Sequence, residues 1–157
     1  FQLADAVRAA GRRLGPVAGL VAHSVGSVAT LLALADGLDA SRGALLAPPA
    51  TLDGAVTGMV RRAGLSATAQ ARLRRRIEAR YGDDVWQRLD VADTAPRVRA
   101  DVLVVHDVDD REVPVGDGVR VARALGTEPV LTTGLGHGRV LVDDDVARRV
   151  LAHLGGV

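Results

Sequence analysis

Val21-Ala22-His23-Ser24-Val25-Gly26 is the stretch whose reading decides the fold. It follows an apolar run, Val17-Ala18-Gly19-Leu20-Val21, with the length and composition of a buried strand. It precedes the small-residue helical pattern Ser27 to Ala35. A serine at such a junction, with Ala22 two before it and Gly26 two after, spells a sharp strand-to-helix elbow. Such a turn forces the serine into strained backbone angles and brings its flanks close, so side chains of a methyl or less are expected there. In return the hydroxyl stands clear of the strand, and the first N–H groups of the helix point at the same spot.

Working outward, Leu3, Ala6, Val7, Ala10 and Leu14 recur at helical spacing before the elbow, and Gly15-Pro16 ends that helix. After the elbow helix, closed by Gly37, Gly43 to Ala47 reads as a second buried strand stopped by Pro48-Pro49. Between Thr51 and Pro96 the pattern turns helical. One short amphipathic helix carries Leu52, Val56, Met59 and Val60; a second, capped by Ser66, carries Leu73, Ile77 and Tyr81; a third runs from Asp84 to Leu89, capped by Asp83. Strand-helix alternation resumes with Val102 to His106, a helix through Val119, Ala122 and Leu125, a strand from Pro129 to Thr133, a Gly134–Gly138 loop and a closing helix from Asp143 to Leu154. Continuous apolar strands alternating with helices predict an α/β fold, a parallel sheet covered on both faces.

Composition narrows the function classes. The 157 residues are 48% hydrophobic and 25% charged, with net charge +1, so no global field favours nucleic acid or a membrane surface. No apolar run approaches the ~20 residues of a membrane span. Cysteine is absent, which removes disulfides, thiolate metal sites and a cysteine nucleophile. One Phe, one Tyr and one Trp leave almost no stacking platform for single-stranded nucleic acid. The arginines from Arg61 to Arg80 read as a solvated helix face before they read as a phosphate site. Asp107, Asp109, Asp143, Asp144 and Asp145 read as turn formers and caps rather than cation ligands, and no metal or cofactor is expected.

In a parallel α/β sheet the reactive groups gather at the carboxyl ends of strands. Two further strand ends carry titratable residues: His106-Asp107-Val108-Asp109-Asp110-Arg111-Glu112-Val113-Pro114, and Gly134-Leu135-Gly136-His137. With Ser24 they give the order Ser, Asp, His, which is that of a hydrolytic triad. Over nearly its whole length the chain resembles the C-terminal two-thirds of an α/β-hydrolase of the esterase/lipase-like kind. His106 to Pro114 resembles the family's acid turn, which implies Asp110 as the acid. Gly134 to His137 resembles its histidine loop, which implies His137 as the base, and Ser24 would sit on its nucleophile elbow. The departures are Ala22 for the first elbow glycine and Asp107 for the usual glycine of the acid turn.

The resemblance implies a serine hydrolase acting on a small-molecule ester, or a thioester or carbon–carbon substrate, through an acyl-enzyme. The oxyanion would be held by the Val25 N–H, and a second N–H would come from a loop after an earlier strand. The stretch from about 51 to 96 would be a helical cap within one domain spanning 1–157, with Leu52, Val56, Met59, Val60 and Leu65 as pocket walls. A non-catalytic protein of this fold that binds a small ligand or a partner is the alternative. His23 and His106 are read as packing or hydrogen-bonding residues at strand ends. A cytoplasmic setting is expected, with any leader upstream of Phe1. Four strands are legible where the resemblance implies about twice as many. The expectation is therefore that strands preceding Phe1 complete the sheet. The strand at Val17 to Val21 should then keep one unpaired edge within 1–157, and residues 1–157 alone should hydrolyse esters poorly or not at all, while a longer parent is active.

Overall fold

The computed structural model describes residues 2–15 and 17–155. Four parallel strands form one sheet in the order β1 (Leu20–His23), β2 (Arg42–Leu46), β3 (Asp101–Asp107), β4 (Val130–Thr132). Before β1 lies α1 (Gln2–Leu14), and between β1 and β2 lies α2 (Val25–Ala35). Between β2 and β3 come α3 (Leu52–Arg62), α4 (Ala67–Tyr81), α5 (Val85–Arg88), α6 (Val91–Thr94) and a 3₁₀ turn, Ala95–Arg97. The chain ends with α7 (Val115–Ala124) before β4, then α8 (Gly136–Arg139) and α9 (Asp144–His153).

The sheet is covered on both faces because alternate residues of its inner strands are both apolar. Leu45, Val102 and Val104 turn to one face and pack with Leu31 of α2, Val91 of α6 and Val121 of α7. Ala44, Leu46 and Val105 turn to the other face and pack with Val146 and Val150 of α9. A strand buried on both sides must be apolar at every position, and this explains the unbroken runs in the sequence.

Several expectations need correction. The first strand starts at Leu20 rather than Val17, which makes only an isolated bridge to Ala40. At Gly19, between them, a side chain would collide with Leu154 of the closing helix region, so the backbone there is pressed against packing rather than paired. In α1 the buried positions are Ala4 and Gly11, while Leu3 and Leu14 are exposed. Small residues face inward because α1 lies close to the Leu38 side chain, which a Cβ at Gly11 would strike. Pro16, expected with Gly15 to end this helix, lies outside the described residues. The third helix of the 51–96 stretch is shorter than expected and starts at Val85 after Asp84, not Asp83. A further helical turn, α6, follows because Asp90 caps it through the Ala92 N–H, 2.9 Å away. Ser66 does cap α4, accepting from the Ala69 N–H. Finally, the 134–138 loop contains the short helix α8, and His137 lies on it.

Candidate active site

All four strands run the same way, so their carboxyl ends share one edge of the sheet. Ser24 follows β1, Asp107 ends β3, Asp110 lies in the turn beyond it, and His137 comes after β4. The parallel arrangement thus collects residues separated by 113 positions in sequence.

Ser24 has φ 53° and ψ −132°, a left-handed φ that a residue with a Cβ adopts only under constraint. Its N–H is tied to the Leu46 carbonyl at 3.0 Å, and its carbonyl accepts from the Ser27 N–H at 2.9 Å. The elbow is therefore fixed on both sides. One part of its steric rationale fails: a Cβ on Gly26 would meet nothing within 4 Å among the described residues. The crowding is at Ala22, which is buried in the core beneath α2.

His137 Nδ1 lies 2.7 Å from Asp110 Oδ2, and His137 Nε2 lies 3.0 Å from Ser24 Oγ. A carboxylate only accepts, so Nδ1 carries the proton and donates to Asp110, leaving Nε2 to accept the serine O–H. Asp110 is held by its other oxygen, Oδ1, which accepts from the N–H groups of Glu112 (2.7 Å) and Val113 (3.0 Å). Its side chain is fully buried. The Val25 N–H, in the first turn of α2, has no acceptor among the described residues.

The remaining polar groups form a support around these. His106 is wholly buried, donates from Nε2 to the Val113 carbonyl at 3.0 Å, and sits 3.4 Å from Asp110 Oδ2. Its Nδ1 has no hydrogen-bond partner among the described residues, because that side of the ring packs against Gly118 of α7. His23 donates from Nε2 to the His137 carbonyl at 2.8 Å, its ring 4.6 Å from the His137 ring. Asp107 is fully buried and accepts from Thr132, Leu135, Gly136 and Asp109. Burial pushes its carboxyl up, but the hydrogen bonds from Gly136, Thr132, Leu135 and Asp109 outweigh that and hold it below its ordinary value. The role of Asp107 was missed in sequence. Its one signal was its place in the acid turn where the resemblance expects glycine.

A cleft of about 210 Å³ opens beside Ser24. Leu52, Val56 and Met59 line it from α3, with Pro114, Arg62, Glu112 and Asp117 around it. Of the expected walls, Val60 and Leu65 do not line it. Val60 is buried, and Leu65 is half-exposed beyond Gly64, whose φ of 62° ends α3. Arg62 is paired with Glu112, Nε to Oε2 3.3 Å. Among the described residues, no group of three or more His, Asp or Glu side chains could hold a metal ion.

No protein-family model and no curated protein sequence matches the chain. Solved structures do. Dipeptidyl peptidase 4 of Porphyromonas gingivalis superposes with TM-score 0.67 at 17% identity over 99% of this chain. A puromycin-hydrolyzing peptidase of Mycobacterium tuberculosis gives 0.66 at 16% over 95%. A Pyrococcus furiosus esterase gives 0.59 at 15% over 88%. The fold is that of the α/β-hydrolases. The chain spans 23% and 25% of the two peptidases' lengths and 54% of the esterase's. Within this α/β-hydrolase fold, Ser24 occupies a strand-to-helix elbow, and Asp110 and His137 follow later strands in chain order.

Proposed function

We propose that this chain carries the catalytic site of a serine hydrolase that cleaves a carboxylic ester or thioester. The observation that supports it best is the continuous path from Ser24 Oγ to His137 Nε2 (3.0 Å) and from His137 Nδ1 to Asp110 (2.7 Å), built on a strained elbow. A serine hydroxyl is a weak nucleophile until an imidazole takes its proton. His137 accepts that proton as Oγ bonds to the acyl carbon, and Asp110 offsets the charge that appears on the ring. The carbonyl oxygen becomes an oxyanion facing the Val25 N–H. His137 then delivers the proton to the leaving alcohol or thiol, so the acyl group stays on Ser24. Water, activated by the same imidazole, releases the acid. The α3 side chains Leu52, Val56 and Met59 favour an acyl or alcohol group with apolar character. In this reading the helical stretch from about 51 to 96 serves as the cap.

The other three serines have different surroundings. Ser27 is buried without a hydrogen-bond partner among the described residues, Ser41 donates to the Ala18 carbonyl, and Ser66 caps α4. A fluorophosphonate probe should therefore label Ser24 alone, and a chromogenic ester series of increasing acyl length should show turnover that Ser24→Ala abolishes. Labelling at another serine, or undiminished labelling of Ser24→Ala, would end this reading.

A further inference from the structure

Asp107 ends β3 with no exposed surface, yet it takes no part in the relay, since His137 bonds Asp110 instead. Its Oδ1 accepts from the Asp109 N–H (3.0 Å) and the Gly136 N–H (2.9 Å). Its Oδ2 accepts from the Thr132 hydroxyl (2.7 Å) and the Leu135 N–H (3.1 Å). A carboxylate offers about four acceptor sites, and all are used. The donors come from the acid turn, from the end of β4 and from the two residues directly before His137.

The loop so held has little conformation of its own. Gly134 and Gly136 take φ 77° and 66°, and with Gly138 they leave the backbone around His137 free to adopt many alternatives. Local sequence cannot select the one that aims the imidazole, so external contacts must. Asp109 fixes Gly134 from the exposed side, Oδ2 to N–H 2.8 Å, and His23 holds the His137 carbonyl. Among the described residues, Asp107 alone reaches the peptide units immediately before the histidine from within the core. No neutral isostere can do the same. The amide of an asparagine would turn its NH₂ toward at least one backbone N–H, donor against donor, at a fully buried position.

We propose that Asp107 is the positioning residue of His137, locking the Leu135–Gly136 backbone so that the imidazole meets Asp110 and Ser24 at once. As a statement about catalysis, this rests on the hydrolase reading above. A displacement of about 1 Å at a reacting group costs on the order of 10²-fold in rate. Loss of this lock therefore appears in kcat, with KM little changed.

The test uses Asp107→Asn and Thr132→Val in the full chain, each alone and combined with His137→Ala. Ester kinetics are read together with the proton resonance of the His137 Nδ1–H shared with Asp110. Asp107→Asn should lower kcat by about 10- to 100-fold. Thr132→Val, which removes one donor of the four, should lower it less. Neither should cost anything further on the residual activity of His137→Ala, because residues acting through one group are not additive. The shared-proton resonance should broaden or vanish in Asp107→Asn while circular dichroism stays that of a folded protein. Equal losses with and without His137, or an unchanged resonance, would overturn the proposal. Should Asp107→Asn fail to fold, Thr132→Val decides, and wild-type kcat with a wild-type resonance there overturns it. If Ser24 takes no fluorophosphonate label in the unsubstituted chain, the hydrolase reading fails, and the resonance alone still decides whether Asp107 places His137.

Discussion

Asp110 holds His137 with one oxygen and is held by the other, through the Glu112 and Val113 N–H groups. Replacing it by asparagine keeps the shape but offers the ring the wrong partner, so the tautomer with Nε2 free to accept is no longer selected. Asp110→Asn should lower kcat on the order of 10³- to 10⁴-fold. Asp109→Asn, at an exposed position whose side chain accepts from the Gly134 N–H, should cost far less. Steady-state kinetics on the two variants check the assignment, and comparable losses would refute it. Asp107 adds a pH signature. Its folded pKa lies below its ordinary 3.8, so it contributes stability that is present above about pH 4 and lost as pH falls through the folded value. The stability gap between the unsubstituted chain and Asp107→Asn, from urea unfolding, should be widest near neutral pH and shrink near pH 3. A gap that grows on acidification would contradict this. That Ser24, Asp110 and His137 come together was legible because each sits in a short local spelling at a strand end. The function of Asp107 was not, since two of its donors lie 28 and 29 positions away, in a loop whose glycines disclose flexibility but not what restrains it.

At the scale of elements, the site depends on how closely helices approach strands. The ring of His106 on β3 lies against Gly118 of α7, where an added Cβ would fall within the ring's own volume. His106 is fully buried and cannot swing away, so Gly118→Ala must displace either the ring or α7. Overpacking of this kind costs about 1–3 kcal/mol. Because His106 anchors the Val113 carbonyl beside Asp110, kcat should fall as well as Tm. A loss of stability without any change in kcat would mean the turn tolerates the shift. A contrasting element is α4, with no buried residue along its 15 positions. It packs only partly buried Ile77 and Tyr81 against the core cluster of α2, and is otherwise fastened by Arg74 pairing with Asp53 and stacking 4.1 Å over Trp86, and by the Trp86 N–H bond to Glu78. Such a helix opens at low cost. Its amides should exchange faster than those of β3, and equal protection would count against its acting as a mobile cap. Periodicity found these helices well but misplaced the buried stripe of α1. Apolar size marks a core face only when the partner stands at ordinary distance, and here close approach to Leu38 puts Ala4 and Gly11 inward.

At the scale of the molecule, the sequential order β1-β2-β3-β4 leaves β1 and β4 with one unpaired side each among the described residues. The two edges are not equivalent. β4 is three residues long, preceded by Pro129, which has no N–H to offer, and followed closely by Gly134 in a left-handed turn. Such features blunt an edge against pairing with another chain. Among the described residues β1 has no comparable guard, and Val21 stands 54% exposed within it. The order Ser, Asp, His was readable because a parallel sheet fixes which ends meet. The location of the bare edge was readable only through the family resemblance, since nothing in Val17 to His23 itself says which neighbours a strand lacks. An open, apolar parallel edge is a template for intermolecular pairing, and charge on such an edge opposes it. For residues 1–157 expressed by themselves, Val21→Lys should therefore reduce self-association, measured by light scattering at matched concentration. Leu131→Lys on β4, where the residue is 49% exposed, should change it much less. Equal effects of the two lysines would mean that surface charge alone, rather than the β1 edge, governs association.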